Sequence, residues 1–171
     1  GNAGGWIGCL SVTAADGSMP LLAPMSTIAG QLAIVVGSYH LLKHNKGKGV
    51  MIGKLNNIEP RVVSVIGAGV AGTQSISKAL DNHALVKVLD TSESRLRKLE
   101  SVFGSKNIEY ILSTSDSVQS AINESDLVVG SVYVVGKEAP KVLTKDMLVS
   151  MKPGTVMVDV SIDQGGCFET S

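Results

Sequence analysis

Val62-Val63-Ser64-Val65-Ile66-Gly67-Ala68-Gly69-Val70-Ala71-Gly72 is the stretch that decides the fold. Its first five residues, mostly β-branched, read as a short buried strand. The glycines that follow are spaced G-x-G-x-x-G, and the pattern after them predicts a helix over 70–82. A strand feeding through such a turn into a helix presents free backbone N–H groups and a positive dipole end to an anion. Each glycine has its own task. Gly67 permits the tight turn, Gly69 leaves room for a diphosphate against the backbone, and Gly72 lets the helix pack close to the strand. The spacing alone is a weak signal and also fits a glycine-rich turn with no ligand. Here an acid strengthens it: Asp90 lies 18 residues past Gly72, at the end of the next apolar run. Strand, turn, helix and acid together make a dinucleotide-binding fingerprint, in which Gly67, Ala68, Gly69, Val70, Ala71 and Gly72 carry the phosphates.

The segments downstream alternate regularly. Strands are expected at 84–89, 108–112, 127–132 and 155–160, and helices at 92–103, 115–123 and 144–151. Strands alternating with helices imply βαβ units and a parallel sheet covered on both faces. Right-handed crossovers then favour a doubly wound (Rossmann) α/β fold of order 3-2-1-4-5. Upstream, Pro20 and Pro24 fix an extended approach, and Ser26 serves as N-cap of one long helix over 26–44. Ile28, Leu32, Val35, Val36 and Tyr39 recur at helical spacing, and Gly47 and Gly49 stop the helix. Three regions result: an irregular segment over 1–19 with a short strand near Leu10-Ser11-Val12, a long helix and linker over 20–60, and the dinucleotide-binding domain over 61–171.

Open α/β sheets bind ligands beyond the carboxyl ends of their strands, at the switch point. Ser131, Val132 and Val134 after the fourth strand, and Ser161, Ile162 and Asp163 after the fifth, therefore belong near the nicotinamide half of a dinucleotide. The Asp90 carboxylate would accept the adenosine ribose hydroxyls and repel a 2′-phosphate, which favours NAD. Arg95, five residues on, is the kind of residue that accommodates NADP instead. Asp163 precedes Gln164-Gly165-Gly166, so a carboxylate stands at the mouth of the crevice. It would assist proton movement or hold an ammonium group there, unless it only forms a turn.

Composition bounds the alternatives. Lys plus Arg and Asp plus Glu number 15 each in 171 residues, giving zero net charge, which argues against a nucleic-acid surface or an anionic membrane patch. With aromatic residues at 4%, a base-stacking platform is not expected. No apolar run reaches the roughly 18 residues that would span a bilayer, and the start of the chain lacks the basic and apolar regions of a signal peptide. Cys9 and Cys167 have no metal spacing and read as free thiols in a reducing cytoplasm. His40 and His44 share a helix face, but Leu41 stands where an HExxH zinc site needs Glu, so no metal is expected. Asn45-Lys46-Gly47-Lys48-Gly49 lacks the GK[ST] ending of a phosphate loop.

Several motifs in order resemble those of bacterial alanine dehydrogenases. They are Pro20-Leu21-Leu22-Ala23-Pro24-Met25-Ser26 with Ala29-Gly30 after it, Ile66-Gly67-Ala68-Gly69, Met151-Lys152-Pro153-Gly154, and Ile162-Asp163-Gln164-Gly165-Gly166. The resemblance covers residue 16 to the C-terminus. It implies interconversion of L-alanine with pyruvate and ammonium, with NAD⁺ as hydride acceptor. It implies that Ser26 contacts cofactor phosphate, that Asp90 binds the adenosine ribose with Arg95 and Ser113 around the adenosine, and that Asp163 is the active-site aspartate. It further implies a homo-oligomer, a dimer or a hexamer built from dimers, with the long helix packed between subunits. The family's N-terminal substrate half, with its carboxylate-holding Arg and Lys and its catalytic His, has no counterpart here. This chain is therefore expected to bind NAD(H) and to turn over alanine weakly or not at all. The NAD-binding part of proton-translocating transhydrogenase is similar, but usually departs from the Ile-Asp-Gln-Gly-Gly motif. A stand-alone NAD-binding regulatory module is the remaining alternative.

Overall fold

A computed structural model describes residues 12–17, 20–134 and 138–171. The expected strand near Leu10-Ser11-Val12 lies largely outside these residues, as does Cys9; Val12 is not in a strand. Five strands, β1 Val62–Ile66, β2 Leu85–Asp90, β3 Ile108–Leu112, β4 Leu127–Gly130 and β5 Val156–Asp159, form one sheet. All its pairings are parallel and its order is β3-β2-β1-β4-β5, as the alternation predicts. The helices are α1 Ala23–His40, α2 Val70–Asp81, α3 Glu93–Phe103, α4 Ser115–Glu124 and α5 Lys145–Leu148.

β1 lies at the centre, and its side chains alternate between two cores. Val63 and Val65 face α1, α2 and α3 with Ile34, Ile76 and Leu96. Ile66 faces the opposite side with Val118 and Ile122 of α4 and Phe168 of the C-terminal segment. Each fully buried valine or isoleucine contributes about 1.5–3 kcal/mol of transfer free energy. Ser64 shares the second face, and its buried hydroxyl pairs with that of Ser125 at 2.7 Å.

The long helix differs from expectation. α1 begins at Ala23, not at Ser26, and ends at His40, not at residue 44. Pro24 sits inside its first turn, where a missing N–H is harmless, and no side chain caps it. A short 3-10 turn, Lys43–Asn45, follows, closed by Lys46 at φ 64°. The apolar stripe that signals the helix points outward: Met25, Ile28, Leu32, Val35, Val36 and Tyr39 are exposed. The buried face consists of Gly30, Ala33, Ile34 and Gly37. Small residues there bring backbones together, and a Cβ on Gly30 would overlap the Ala71 carbonyl of α2. Ser75 of α2 seals the crossing by donating to the Gly30 carbonyl at 2.7 Å.

β4 ends at Gly130, two residues earlier than expected. Ser131 turns across the end of β1 instead, its N–H donating to the Ile66 carbonyl at 2.8 Å. α5 is also shorter than expected: Thr144 is its N-cap and Val149 its C-cap.

Candidate functional site

The glycine turn forms as its sequence requires. Gly67 has φ +91°, a left-handed value that only glycine adopts without strain. It is pinned on both sides. Its N–H donates to the Leu89 carbonyl of β2 at 2.8 Å, and its carbonyl accepts the Ser131 hydroxyl at 2.6 Å. Gly72 packs under the same turn, where an added Cβ would overlap the Gly67 carbonyl and lie 2.7 Å from the Ser131 hydroxyl. Gly69 is different: an added Cβ would meet nothing within 4 Å. The backbone there is open.

Gly69 is also the N-cap of α2 and offers no side chain to its first turn. The helices α3, α4 and α5 are capped by Ser92, Thr114 and Thr144. The first N–H groups of α2 and the positive end of its dipole thus face open space beside a bare backbone. That arrangement fits a diphosphate, the test that a dinucleotide site must pass.

Asp90 closes the β2 side of the turn. Its carboxylate is buried and accepts from the Ala68 N–H at 2.8 Å through Oδ2 and from the Ser92 N–H at 2.8 Å through Oδ1. Asp90 therefore shapes a turn as well as standing at the strand end. Arg95 donates to Oδ2 at 3.1 Å. Three donors leave a carboxylate with acceptor capacity to spare, since it has about four lone-pair sites. Ser113 lies next to it, donating its N–H to the Asp90 carbonyl at 2.9 Å.

At the other end, Ser131 and Val132 cross directly beside Gly67, where an added Cβ would lie 3.0 Å from the Val132 nitrogen. Ser161 joins the two strand ends by donating its hydroxyl to the Val132 carbonyl at 2.7 Å. Ile162 and Asp163, both exposed, belong to one 3-10 turn, Ile162–Gln164, directly after this tie. Val134 is half-buried and borders the segment 135–137, outside the described residues. Ser26 lies one turn before Gly30, near the crossing onto Ala71 of α2. The residues expected at the site thus fall at the ends of β1, β2, β3, β4 and β5, with Ser26 near α2.

Two charged groups close to Asp163 escape sequence reading. Asp159 ends β5 and accepts from the Cys167 N–H at 2.9 Å and the Phe168 N–H at 3.2 Å. An acid closing an apolar run is the same signal that marks Asp90, so Asp159 was legible in principle. Lys141, which binds carbonyls of the Gly165-Gly166 loop, has no local signature. Beside Asp159, burial and the neighbouring carboxylate push the Cys167 thiol up to about 12, leaving it an unreactive neutral group.

A family profile described as "Alanine dehydrogenase/PNT, C-terminal domain" matches residues 33–171. The alanine dehydrogenase of Halomonas elongata is 47% identical over 161 residues, covering 94% of this chain and 43% of the relative. That of Mycobacterium tuberculosis is 45% identical with the same coverage. Among solved structures, an L-alanine dehydrogenase superposes with TM-score 0.90 at 38% identity, covering 96% of this chain and 45% of the other. The transhydrogenase of Sinorhizobium meliloti superposes with TM-score 0.75 at 27% identity, covering 88% and 42%. The chain spans less than half the length of these relatives. Sequence and fold agree with these relatives, and the chain belongs to the alanine dehydrogenase/PNT C-terminal domain family.

Proposed function

We propose that this chain is the NAD(H)-binding part of an L-alanine dehydrogenase, which converts L-alanine, NAD⁺ and water to pyruvate, ammonium and NADH. One observation carries the reading above all: the uncapped start of α2 opens onto bare backbone at Gly69, next to an oriented Asp90 carboxylate. In this reading residues 61–171 are the nucleotide-binding unit, and the helix and linker over 20–60 pack on it. The N–H groups following Gly67, Ala68 and Gly69, including those of Val70, Ala71 and Gly72, hold the diphosphate, with Ser26 beside them. Asp90 accepts the adenosine ribose hydroxyls, and its negative charge disfavours a 2′-phosphate. Arg95 and Ser113 flank the adenosine. Ser131, Val132, Val134 and Ile162 border the nicotinamide half and exclude water from it. Bound NAD⁺ supplies the hydride acceptor. Asp163, as the catalytic residue, orients the substrate ammonium and takes part in proton movement.

The remaining assignments follow the same reading. The substrate is the alanine/pyruvate pair, and the enzyme works in the cytoplasm. It is a homo-oligomer, a dimer or an assembly of dimers, because Leu21, Met25, Ile28, Leu32, Val35 and Tyr39 leave a long exposed apolar stripe on α1. The Ile162-Asp163-Gln164-Gly165-Gly166 motif favours the dehydrogenase over a transhydrogenase domain.

The test is titration of the chain with NADH, followed by calorimetry and nicotinamide fluorescence. Saturable binding is expected, with alanine-dependent NADH formation only after the N-terminal half of a relative is added. Neither heat nor a fluorescence change at millimolar NADH would refute the proposal.

A further inference from the structure

Asp163 sits on a return loop whose backbone is gripped from two sides. Gly165 and Gly166 follow it with φ of +86° and +73°. Two successive glycines in left-handed backbone are the most freely moving residues a chain has, so the loop holds its shape only if something outside fixes it. Lys141 does so through the carbonyls. Its ammonium donates to those of Gly165 at 2.5 Å, Gly166 at 2.8 Å and Phe168 at 3.2 Å, which uses all three of its hydrogens. Asp159 does so through donors at the loop's two ends. It accepts the Ser161 N–H at 3.0 Å at one end, and the Cys167 and Phe168 N–H groups and the Ser171 hydroxyl at the other. Between the two charges the Ala139 N–H donates to the Gln164 carbonyl at 2.9 Å. The Asp163 side chain is exposed and makes no hydrogen bond among the described residues.

We infer that Lys141 and Asp159 are positioning residues for Asp163, holding the loop so that its carboxylate and Ile162 face the nicotinamide end of the site. This rests on the NAD(H) reading above. A cation satisfying three carbonyls at once forms charge-assisted bonds, about twice as strong as neutral ones, and a neutral side chain at 141 would strand those carbonyls. Among the described residues, the side-chain hydrogen bonds of Lys141 and Asp159 all fall on residues 161–171 and none reaches the glycine turn or Asp90.

The experiment compares NADH with ADP-ribose, which lacks the nicotinamide, on the unaltered chain, Lys141→Met and Lys141→Arg. Lys141→Met is expected to bind NADH about tenfold more weakly, the loss of one or two such bonds, with loss of nicotinamide fluorescence enhancement. ADP-ribose affinity is expected to stay within about twofold in all three, and Lys141→Arg to recover most NADH affinity because it keeps the charge and donors. Equal NADH binding by the unaltered chain and Lys141→Met overturns the positioning role alone. So does a parallel loss of both ligands, which marks a general loss of structure. Failure of the unaltered chain to bind ADP-ribose removes the dinucleotide site itself, and this inference with it.

Discussion

Two glycines in one motif are expected to respond oppositely to the same added methyl group. At Gly72 the methyl has nowhere to go, because it would overlap the Gly67 carbonyl, a backbone atom held by Ser131. Overpacking of this kind costs about 1–3 kcal/mol. For a chain of 171 residues that is about 3–8 °C of thermal midpoint. At Gly69 the methyl meets nothing within 4 Å, and φ −70° suits alanine as well as glycine. The cost there is only that of a poorer N-cap, below about 1 kcal/mol. The ligand reverses the order. A diphosphate lying against the Gly69 backbone must give way to the methyl, so Gly69→Ala should weaken NADH binding at least tenfold, about 1.4 kcal/mol or more, while remaining folded. Thermal unfolding and NADH fluorescence titration of both variants give the comparison. If Gly69→Ala binds NADH as the parent does, the diphosphate does not cross that backbone and the reasoning fails.

Three further outcomes are expected. Asp90→Ala should lower NADH affinity and narrow the preference for NADH over NADPH, since it removes both the ribose acceptor and the repulsion of a 2′-phosphate; an unchanged ratio of the two dissociation constants would contradict the role given to Asp90. Leu32→Glu, on the exposed stripe of α1, should reduce the mass measured by light scattering from dimer to monomer with little change in thermal midpoint, and an unaltered mass would count against that face. The Cys167 proton, held to about 12 when folded against about 9 otherwise, makes a contribution to stability that is complete below about pH 9. That contribution is lost as pH rises towards 12, at up to about 1.4 kcal/mol per pH unit; urea unfolding across this range should show a shallower slope for Cys167→Ala, and identical slopes would exclude the effect.

The parts of the fold legible in the sequence are those whose signals are local. The β1 turn and α2 announce themselves because one glycine pattern carries strand end, turn and helix start. The sheet order follows from the alternation and handedness alone. α1 was harder at its ends. It starts at Ala23 after Leu22 with no side-chain cap, so the capping signal at Ser26 does not mark its first residue. Its periodic apolar residues also mark the outward face, while Gly30 and Gly37, which do the inward packing, carry no hydrophobic signal. β4 ends at Gly130, where an added Cβ would overlap Cys167 and Phe168, a contact between residues far apart in sequence. The site divides the same way. Asp90 is visible as an acid at a fixed distance from the glycines. Lys141 is not, because its carbonyl partners lie 24 to 27 residues away and nothing beside it in the sequence hints at them.

The hydroxyl of Ser131 reaches back 64 residues to fasten the Gly67 carbonyl. This gives the chain an order of assembly. A ribosome releasing β1, its turn and α2 has released every glycine of the motif, yet not the group that locks the turn. Closing so long a stretch is slow compared with winding the local helices. On the proposed reading, competence to hold a nucleotide is expected to arrive with the docking of β4, and a nascent chain cut before Ser131 carries the whole motif without the hydroxyl that fastens Gly67.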